Sequence, residues 1–448
     1  MFTKVLVANR GEIAVRVIRA LHELGIEAVA VYSTADEESL HVRLADRAVK
    51  IGPPQAAQSY LSMPAIVAAA KTTGCEAVHP GYGFLSENAD FVRACEDNGL
   101  VFIGPPAEVM ERMGDKAQAK KEMRAAGVPL VPGTEGTVSL AEARVAADEL
   151  GYPVLLKAAA GGGGRGMRLV SSPTEIDEAY SRASAEAEAA FSDGTLYVEK
   201  AINPARHVEI QVMCDSHGNV LTLGERECSI QRRHQKLIEE SPSPALDPEQ
   251  REAMESAAER ACVHIGYRNA GTFEFLVGPD GSFSFIELNA RLQVEHPVTE
   301  LVTSMDLVRA QIRVAAGIAL EHGGRASRAG HAIELRINAE DPRHDFRPSP
   351  GRLTRFRPPL GPGVRVDTFV EEGATISPYY DSLIAKVIVR DNNRHLAIER
   401  ALRALRELEI EGVPTTREVL FEILDSEAFR SGDYSTSFLD EVELAALA

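Results

Sequence analysis

Tryptophan is absent from the sequence, and aromatic residues make up only 6% of its 448 residues. The five cysteines are an odd number and include no Cys-x-x-Cys pair, which excludes a disulfide framework and a cysteine-ligated zinc site. Buried thiols in a reducing cytoplasm are expected instead. The N-terminus has no basic segment followed by a long apolar run, and the longest uncharged stretch, residues 51–70, contains three prolines. Neither a secretory leader nor a membrane span is therefore expected.

Basic residues are outnumbered, with 48 lysines and arginines against 66 aspartates and glutamates and a formal net charge of −18. Such a surface repels nucleic-acid phosphates and anionic lipids, so neither nucleic acid nor a membrane is an expected partner. The composition, 44% hydrophobic and 25% charged, is typical of a globular protein. The chain is too long for one ordinary core, and about two to four domains are expected.

Strand-like and helix-like segments alternate along the N-terminal part of the chain. An apolar strand at residues 4–8 precedes a segment with helical spacing at residues 12–24. Ser86 is the expected N-cap of a further helix that extends to Asn98. This β-α-β order predicts a doubly wound parallel sheet covered on both faces. We assign this α/β domain to residues 1–113.

The rest of the chain follows a different pattern, in which extended runs succeed one another and antiparallel pairing is expected. A helix with Asp247 as its N-cap and Pro248 at its first position separates two groups of these runs. We assign a central α+β domain to residues 114–329, with a smaller subdomain at about 131–203. Residues 330–448 form a C-terminal α+β domain in this prediction.

A cluster of glycines lies between two extended runs. Residues 161–166 read Gly-Gly-Gly-Gly-Arg-Gly, and the run after them is a strand, whereas a dinucleotide-binding loop requires a helix there. No Gly-Lys-Ser/Thr follows, so a Walker A motif is excluded as well. A glycine-rich hairpin can instead present free backbone N–H groups to phosphates. Lys157, just before the cluster, favours that role over a flexible surface loop, and Lys116 is a second candidate phosphate lysine or a solvated helix residue.

A hairpin with two glutamates is the most informative segment of the chain. Residues 278–281, Gly-Pro-Asp-Gly, form the predicted turn between two apolar strands. A tight turn places Glu274 opposite Phe285, with Glu287 diagonally adjacent on the same face and Asn289 farther along it. Oxygen ligands among apolar residues indicate Mg²⁺ or Mn²⁺ bridging nucleotide phosphates, with an ordinary polar hairpin face as the alternative. Hairpin and glycine lid together predict an ATP- and metal-dependent ligase that activates a carboxylate-type substrate as a mixed phosphate anhydride.

Several long strings of residues then identify a family. The string at residues 287–300 reads Glu-Leu-Asn-Ala-Arg-Leu-Gln-Val-Glu-His-Pro-Val-Thr-Glu. Further strings occupy residues 8–14, 79–88, 206–211, 228–236, 336–342 and 379–382. On these strings the chain resembles the biotin carboxylases, ATP-grasp enzymes that carboxylate biotin held on a carrier protein. The resemblance implies an ATP-grasp central domain and a biotin carboxylase C-terminal domain.

The resemblance also implies ligands for ATP and for its metal ions. The phosphates would be held by Lys116, Lys157, Gly161, Gly162, Gly163, Gly164 and Gly166. The adenine pocket would be lined by Glu199, Lys200 and Ile202. The ribose and phosphates would be flanked by His207, Gln231 and His234. The metals would be bound by Glu274 and Glu287, with Asn289 close by.

The same resemblance implies sites for bicarbonate and biotin. Bicarbonate would be held by Lys236, Arg291, Gln293 and the backbone of Val294, and Glu295 would be the general base. Arg336 would stabilise the enolate form of the biotin ureido group, and Tyr82 would contact the biotin ring. The chemistry supports these roles, because bicarbonate is a poor nucleophile that gains from a base, and a closed lid protects carboxyphosphate from water.

Partners follow from what the chain lacks. Biotin is normally attached to lysine in an Ala-Met-Lys-Met context, and no Lys-Met pair occurs in this sequence. A separate biotin carboxyl carrier protein and carboxyltransferase subunits are therefore expected, most simply those of acetyl-CoA carboxylase in fatty acid biosynthesis. Homodimerisation is a family expectation, in which Arg19 and Glu23 resemble interface residues or else form a pair within one helix.

Two other functions are compatible with part of the pattern. A carbamoyl-phosphate-type synthetase or an amino-acid ligase would share the hairpins but would not need Arg336 or the Tyr82 loop. A non-catalytic nucleotide-binding subunit would be expected to lack a group such as Glu295 or Lys236, and both are present. Cys228 is not assigned a catalytic role, because nothing beside it in the sequence lowers a thiol pKa.

Overall fold

The computed structural model describes residues 1–159, 166–233 and 235–444. Its largest sheets have five, nine and three strands. Among the described residues, every helix is too short or too polar to cross a membrane.

The N-terminal part is a parallel sheet of strand order β3-β2-β1-β4-β5. Its elements are β1 (Lys4–Val7), α1 (Gly11–Glu23), β2 (Glu27–Ser33), α2 (Leu40–Leu44), β3 (Arg47–Gly52), α3 (Met63–Thr73), β4 (Ala77–His79), α4 (Ala89–Asp97), β5 (Val101–Phe102) and α5 (Ala107–Gly114). The inner strands β1 and β4 bury consecutive apolar residues, Val5 to Val7 and Ala77 to Val78, because helices cover both faces of the sheet. The predicted doubly wound fold is confirmed.

One helix start differs from the prediction. Helix α4 is capped by Asn88, whose side chain accepts a hydrogen bond from the Phe91 N–H at 2.8 Å. Ser86 lies two residues earlier and is buried. Both residue types favour an N-cap, so the sequence alone did not distinguish them.

A small separate sheet follows, of strand order β7-β6-β8. This region, here named the lid, follows helix α6 (Lys116–Ala125) and contains α7 (Leu140–Leu150), β6 (Val154–Ala158), β7 (Met167–Val170), α8 (Ile176–Phe191) and β8 (Leu196–Lys200). The lid has its own apolar cluster, which includes Val154, Leu156 and Val198. Strand β7 confirms that an antiparallel hairpin, and not a strand followed by a helix, encloses the glycine cluster.

The central elements form the first half of the nine-stranded sheet. They are β9 (Arg206–Cys214), β10 (Val220–Arg232), β11 (Gln235–Ser241), α9 (Pro248–Ile265), β12 (Asn269–Val277), β13 (Phe283–Asn289), α10 (His296–Thr303), α11 (Leu307–Ala315) and β14 (Gly324–Arg325). Helix α9 begins as predicted, with a capping box between Asp247 and Gln250, and ends at Gly266 in the left-handed conformation.

The C-terminal part supplies the remaining strands and a helical layer. Its elements are β15 (His331–Asn338), β16 (Glu340–Asp341), β17 (Arg347–Pro348), β18 (Gly351–Arg352), β19 (Arg355–Arg357), β20 (Val364–Thr368), β21 (Thr375–Ile376), β22 (Leu383–Asp391), α12 (Arg394–Glu407), β23 (Glu409–Glu411), α13 (Arg417–Asp425), α14 (Glu427–Ser431) and α15 (Phe438–Glu441). Helices α12 and α13 bury one face of the sheet under a core that includes Leu402 and Leu420.

The nine-stranded sheet runs without a break from the central into the C-terminal part. Its order is β13-β12-β9-β10-β11-β15-β22-β20, with β14 beside β10. The join is the antiparallel pair of β11 and β15, in which Ile238 lies opposite Leu335 and Ser241 opposite Ala332. One face of this sheet therefore carries side chains from both parts toward a common site.

Candidate active site

A cavity of about 1800 Å³ lies where the three parts of the chain meet. Tyr82 lines it from the N-terminal part, Lys157 from the lid, Glu287 from the central hairpin and Arg336 from the C-terminal part. With the exception of Gly166, every described residue that the sequence assigned to the site lines this cavity. The predicted lid residues Gly161, Gly162, Gly163 and Gly164, and the predicted ATP ligand His234, lie outside the described residues.

Gly166 lies at the base of the lid hairpin. Its carbonyl accepts a hydrogen bond from the Ala158 N–H at 3.1 Å. Its φ is +70°, and a Cβ here would stand 2.9 Å from the Ala158 Cβ, so the close approach of the two strands requires glycine. Gly166 is therefore required at the end of the glycine cluster, where β7 begins, and does not itself line the cavity.

Two lysines converge on Glu199 at the lid side of the cavity. Its carboxylate accepts from Lys157 at 2.8 Å and from Lys120 at 2.5 Å. Burial raises the pKa of Glu199, but the two ammonium groups outweigh burial and lower it overall. Lys120 was not among the predicted site residues, although it follows Lys116 by four residues and so lies on the same face of α6.

Lys116 itself begins helix α6 and lines the cavity. Burial and the neighbouring Lys157 lower the pKa of its ammonium. Lys200 also lines the cavity, but its ammonium donates to the carbonyls of Gly151 at 2.8 Å and Tyr152 at 3.3 Å. Because the positive charges of Lys116 and Lys157 repel each other, an anion bound between them would be stabilised.

The register of the two-glutamate hairpin differs from the prediction. Glu274 lies directly opposite Glu287, and Phe275 lies opposite Phe285. The ladder shifts between these two pairs, because β13 contains an extra residue at a β-bulge. The expectation of Glu274 opposite Phe285 was therefore wrong, and the two carboxylates are closer neighbours than predicted.

The two carboxylates of this hairpin have opposite electrostatic surroundings. Burial raises the pKa of Glu274, but Lys236 and His207 outweigh it and the pKa is lowered overall. Asn289 donates to Glu274 at 2.9 Å, and the His207 Nε2 lies 2.9 Å from it. Burial and the repelling Glu274 instead raise the pKa of Glu287. Burial and Glu274 thus oppose a negative charge on Glu287. The carboxylate oxygens of these two residues fit a divalent cation such as Mg²⁺.

Glu295 lies at the centre of the cavity and is fully buried. One carboxylate oxygen accepts from the Lys236 ammonium at 2.6 Å, and the other accepts from the Arg336 guanidinium at 2.8 Å. Burial raises the pKa of Glu295, but Lys236 and Arg336 hold it well below its usual range overall. Glu295 is therefore held as a carboxylate between two cations.

Lys236 has two further carboxylate partners, Glu209 at 2.8 Å and Glu274 at 3.1 Å. Its pKa is raised well above the ordinary value, because these charges outweigh the effect of burial. Arg336 is paired on its other side with Glu239, whose pKa burial raises to about 7. Lys236 and Arg336 are thus each positioned by carboxylates other than Glu295.

Arg291 lies between the hairpin and the N-terminal part. It donates to Asn289 at 3.0 Å, to Gln293 at 2.8 Å and to Glu87 at 2.8 Å. Glu87 also accepts from the Ala290 N–H at 3.0 Å. Glu87 lies within the string at residues 79–88 that indicated the family, but no role was predicted for it.

Tyr82 is held on a tight loop. Asn9 donates from its side chain to the carbonyls of Pro80 and Tyr82, each at 2.7 Å. Gly81 has φ +63°, and a Cβ there would stand 2.9 Å from the Asn9 amide nitrogen. The Tyr82 hydroxyl donates to Glu12 in the first turn of α1. The loop conformation therefore depends on glycine and on a buried carboxylate.

Gln231 and Ile202 both line the cavity. The arginines that follow Gln231 in the sequence are paired with an acidic residue. Arg232 and Arg233 both pair with Asp345, and Arg232 lies 4.4 Å from the centre of the Phe346 ring. Of the described residues in this run, Lys236 is the one that reaches Glu295.

Sequence reasoning missed two buried cations beside the cavity. Arg226 is fully buried and donates to Glu209 at 2.5 Å and to Gln211 at 2.7 Å. Lys386 is fully buried on β22, where it contacts Glu12 and Val294. A signal was present for Lys386, because a lone charged residue within an apolar strand is costly unless it is paired.

The β6–β7 hairpin of the lid faces the two-glutamate hairpin across one cavity, and lysines from both sides project into it. This arrangement defines an ATP-grasp ligase. Comparisons with known proteins agree. The family model for the carbamoyl-phosphate synthase L chain, ATP binding domain, matches residues 115–323. The models for the biotin carboxylase N-terminal and C-terminal domains match residues 1–110 and 334–441.

Individual relatives cover the whole chain. It is 54% identical to the biotin carboxylase of Nostoc sp., across 98% of this chain and 99% of that protein. The Campylobacter jejuni biotin carboxylase, solved as a complex with beta-gamma-ATP, has a TM-score of 0.95 and 46% identity over 99% of both chains. The biotin carboxylase domain of Hydrogenobacter thermophilus 2-oxoglutarate carboxylase, solved as a dimer with magnesium, ADP and bicarbonate, has a TM-score of 0.93 and 50% identity over 98% of both chains.

The chain belongs to the biotin carboxylase family. The resemblance, the fold class and the assignment to ATP-dependent carboxylating enzymes that the sequence predicted are therefore confirmed.

Proposed function

We propose that this chain carboxylates biotin on a separate carrier protein, using ATP and bicarbonate through a carboxyphosphate intermediate. The observation that carries the proposal is the position of Glu295, ionised and buried between Lys236 and Arg336. This carboxylation of biotin is the first half-reaction of acetyl-CoA carboxylase or of another acyl-CoA carboxylase.

The first step is the activation of bicarbonate. Lys236, Arg291, Gln293 and the Val294 backbone would hold the anion, and all four residues line the cavity. Glu295 takes the bicarbonate proton while the bicarbonate oxygen attacks the γ-phosphorus of ATP. The bond to the ADP oxygen breaks, so that ADP and carboxyphosphate are formed.

The second step is the transfer to biotin. Carboxyphosphate breaks into CO₂ and phosphate, and the phosphate takes the N–H proton of the biotin ureido group. Arg336 offsets the negative charge of the enolate form, and Tyr82 contacts the biotin ring. The freed nitrogen then attacks CO₂ and forms carboxybiotin. A closed cavity protects the carboxyphosphate from water.

ATP would lie between the lid and the nine-stranded sheet. Lys116, Lys157 and the lid glycines would hold its phosphates, with the adenine against Glu199, Lys200 and Ile202 and the ribose near His207 and Gln231. Glu274, Glu287 and Asn289 would hold Mg²⁺ or Mn²⁺, which neutralises phosphate charge when bound. The raised pKa of Glu287 supports this role.

Domain boundaries and a cellular location are inferred as well. We infer boundaries at 113/114 and 329/330, with a lid at about 131–203. The family-model limits at residues 110, 115, 323 and 334 lie near these positions and support the proposed boundaries. A cytoplasmic location is a prediction from the buried, unpaired cysteines.

A homodimer is also inferred, and it is supported by the dimer of the Hydrogenobacter relative. Arg19 and Glu23, the expected interface residues, are exposed on α1. Glu23 lies 3.2 Å from Arg309, so its charge is directed to a neighbouring helix.

The test is transfer of radiolabelled bicarbonate to free biotin in the presence of ATP and Mg²⁺, with ADP release measured in parallel. Label in biotin, together with ADP release that needs bicarbonate and is stimulated by biotin, would establish the activity. ADP release that is indifferent to both would discard biotin as the acceptor and favour the synthetase or amino-acid ligase alternative.

The final acyl acceptor has a second candidate. A domain of a 2-oxoglutarate carboxylase is 50% identical to this chain, so a 2-oxo acid carboxylase is also compatible with the site. Purification of the chain with its carrier and transferase partners, followed by assay with acetyl-CoA and with 2-oxo acids, distinguishes the two.

A further inference from the structure

Lys386 is a charged residue without any solvent exposure. It lies on β22 within the apolar sequence Leu-Ile-Ala-Lys-Val-Ile-Val, and its side chain has a relative exposure of 0%. Its ammonium donates to the Val294 carbonyl at 2.8 Å and lies 3.1 Å from a carboxylate oxygen of Glu12. One buried cation from the C-terminal part thus contacts both the central and the N-terminal parts.

Each of these two contacts leads directly to a different side of the active site. Glu12 accepts a hydrogen bond from the hydroxyl of Tyr82, which lines the cavity on its N-terminal side. Val294 lies between Gln293 and Glu295, both of which line the cavity on its central side. The Lys386 ammonium is therefore one residue removed from Tyr82 and bonded to the backbone beside Glu295.

The surroundings keep Lys386 charged. Burial lowers the pKa of its ammonium, but Glu12, Glu334 and Asp367 outweigh burial and raise it overall. Asp367 lies opposite Lys386 in the ladder of β20 and β22. Hydrogen bonds from a charged donor are shorter and stronger than neutral ones, so this ammonium holds its partners more firmly than a neutral group would.

We propose that Lys386 is a positioning residue that holds the Tyr82 loop and the Val294 segment at a fixed separation, and so sets the distance between biotin and bicarbonate. This inference rests on the proposed function. Transfer between two substrates is sensitive to separation, because a misplacement of about 1 Å can reduce a rate about a hundredfold. ATP would be held elsewhere, by the lysines of the lid and of helix α6 that line the cavity.

The test replaces Lys386 by methionine and measures kcat and the KM of each substrate. Lys386→Met is expected to raise the KM for biotin and for bicarbonate about tenfold each, with the KM for ATP within about twofold of wild type. Tyr82→Phe removes the hydroxyl that reaches Glu12, and is expected to raise the KM for biotin alone. The double variant should raise the biotin KM by less than the product of the two single effects, because both changes break one connection.

Arg394→Met is the matched control. Arg394, in the same C-terminal part, is a partly buried cation that binds Glu240 at 2.7 Å and does not line the cavity. This variant is expected to lower the melting temperature without changing the ratio of the three KM values. Such a result would show that a lost buried charge does not by itself produce the pattern expected of Lys386→Met.

The outcomes separate this inference from the proposed function. A wild-type enzyme without biotin stimulation would overturn both. A biotin-stimulated wild type, combined with KM values in Lys386→Met that are unchanged or raised equally for all three substrates, would overturn the positioning role alone. If Lys386→Met does not fold, Glu12→Gln takes its place, and an unchanged biotin KM in that variant would overturn the inference.

Discussion

Glu274 and Glu287 lie directly opposite each other on neighbouring strands, so two carboxylates share one face of the hairpin. Lys236 and His207 compensate Glu274, whereas the pKa of Glu287 is raised by burial and by Glu274 itself. This asymmetry makes Glu287 the group whose charge a bound cation would relieve.

Glu287→Gln is therefore expected to raise the Mg²⁺ concentration required for half-maximal activity about tenfold or more. The melting temperature without metal is expected to stay unchanged or to rise, because the substitution removes a repulsion. A magnesium titration of ADP release and a thermal scan measure the two effects. Glu96→Gln, at an exposed position on α4, is the control. A normal magnesium requirement in Glu287→Gln would contradict the assignment.

Glu295→Gln tests the general base. The amide keeps the size of the side chain but cannot take a proton, so bicarbonate-dependent ADP release is expected to fall about a hundredfold or more. ATP binding, measured by fluorescence with a nucleotide analogue, should be retained because the lysines of the lid are unchanged. Retention of more than a tenth of the rate would place the base elsewhere.

The pH dependence of stability provides a test of the Tyr82 loop. The Nδ1 atom of His79 accepts a hydrogen bond from the Gly81 N–H at 3.0 Å, which requires the neutral ring. Burial holds the pKa of His79 at about 3. Because the folded pKa is depressed, the stabilisation is complete above the unfolded pKa of about 6.5 and is lost as the pH falls from there toward 3.

Urea unfolding at pH 7.5 and 5.5 measures this effect. Below pH 6, His79 should contribute about 1 kcal/mol of lost stability per pH unit. His79→Gln should show a shallower dependence by about that amount, even though its stability at pH 7.5 is lower. An identical slope in the two proteins would show that His79 does not remain neutral in the fold.

Cys228 is expected to be dispensable for catalysis. It is fully buried, and burial together with the carboxylate of Glu209 raises the pKa of its thiol well above the ordinary value. Cys228→Ala should keep kcat within about twofold and lose only about 1 kcal/mol of stability, because a small buried group is removed. Iodoacetamide should leave the native enzyme active. Rapid inactivation of the wild type but not of Cys228→Ala would contradict this prediction.

Long segments with clear ends were predictable from the sequence, because their signals are local. Helix α9 is an example, with Asp247 and Gly266 at its two ends. The bulge beside Glu274 was not predictable, because the chain gives no local sign of an extra residue in a ladder. Lys120 and Lys386 were missed since their roles depend on partners far along the chain, whereas the motif residues were found through resemblance.

The pairing of β11 with β15 has a consequence for how this protein can be divided. The two strands belong to different parts of the chain, yet Ile238 to Ser241 and Ala332 to Leu335 form one ladder. A cut between residues 329 and 330 would leave each fragment with an unpaired strand edge. Unpaired strand edges can pair with further copies of the same fragment, so the separated fragments are expected to polymerise or precipitate. A truncated form should therefore lack both β11 and β15, or keep both.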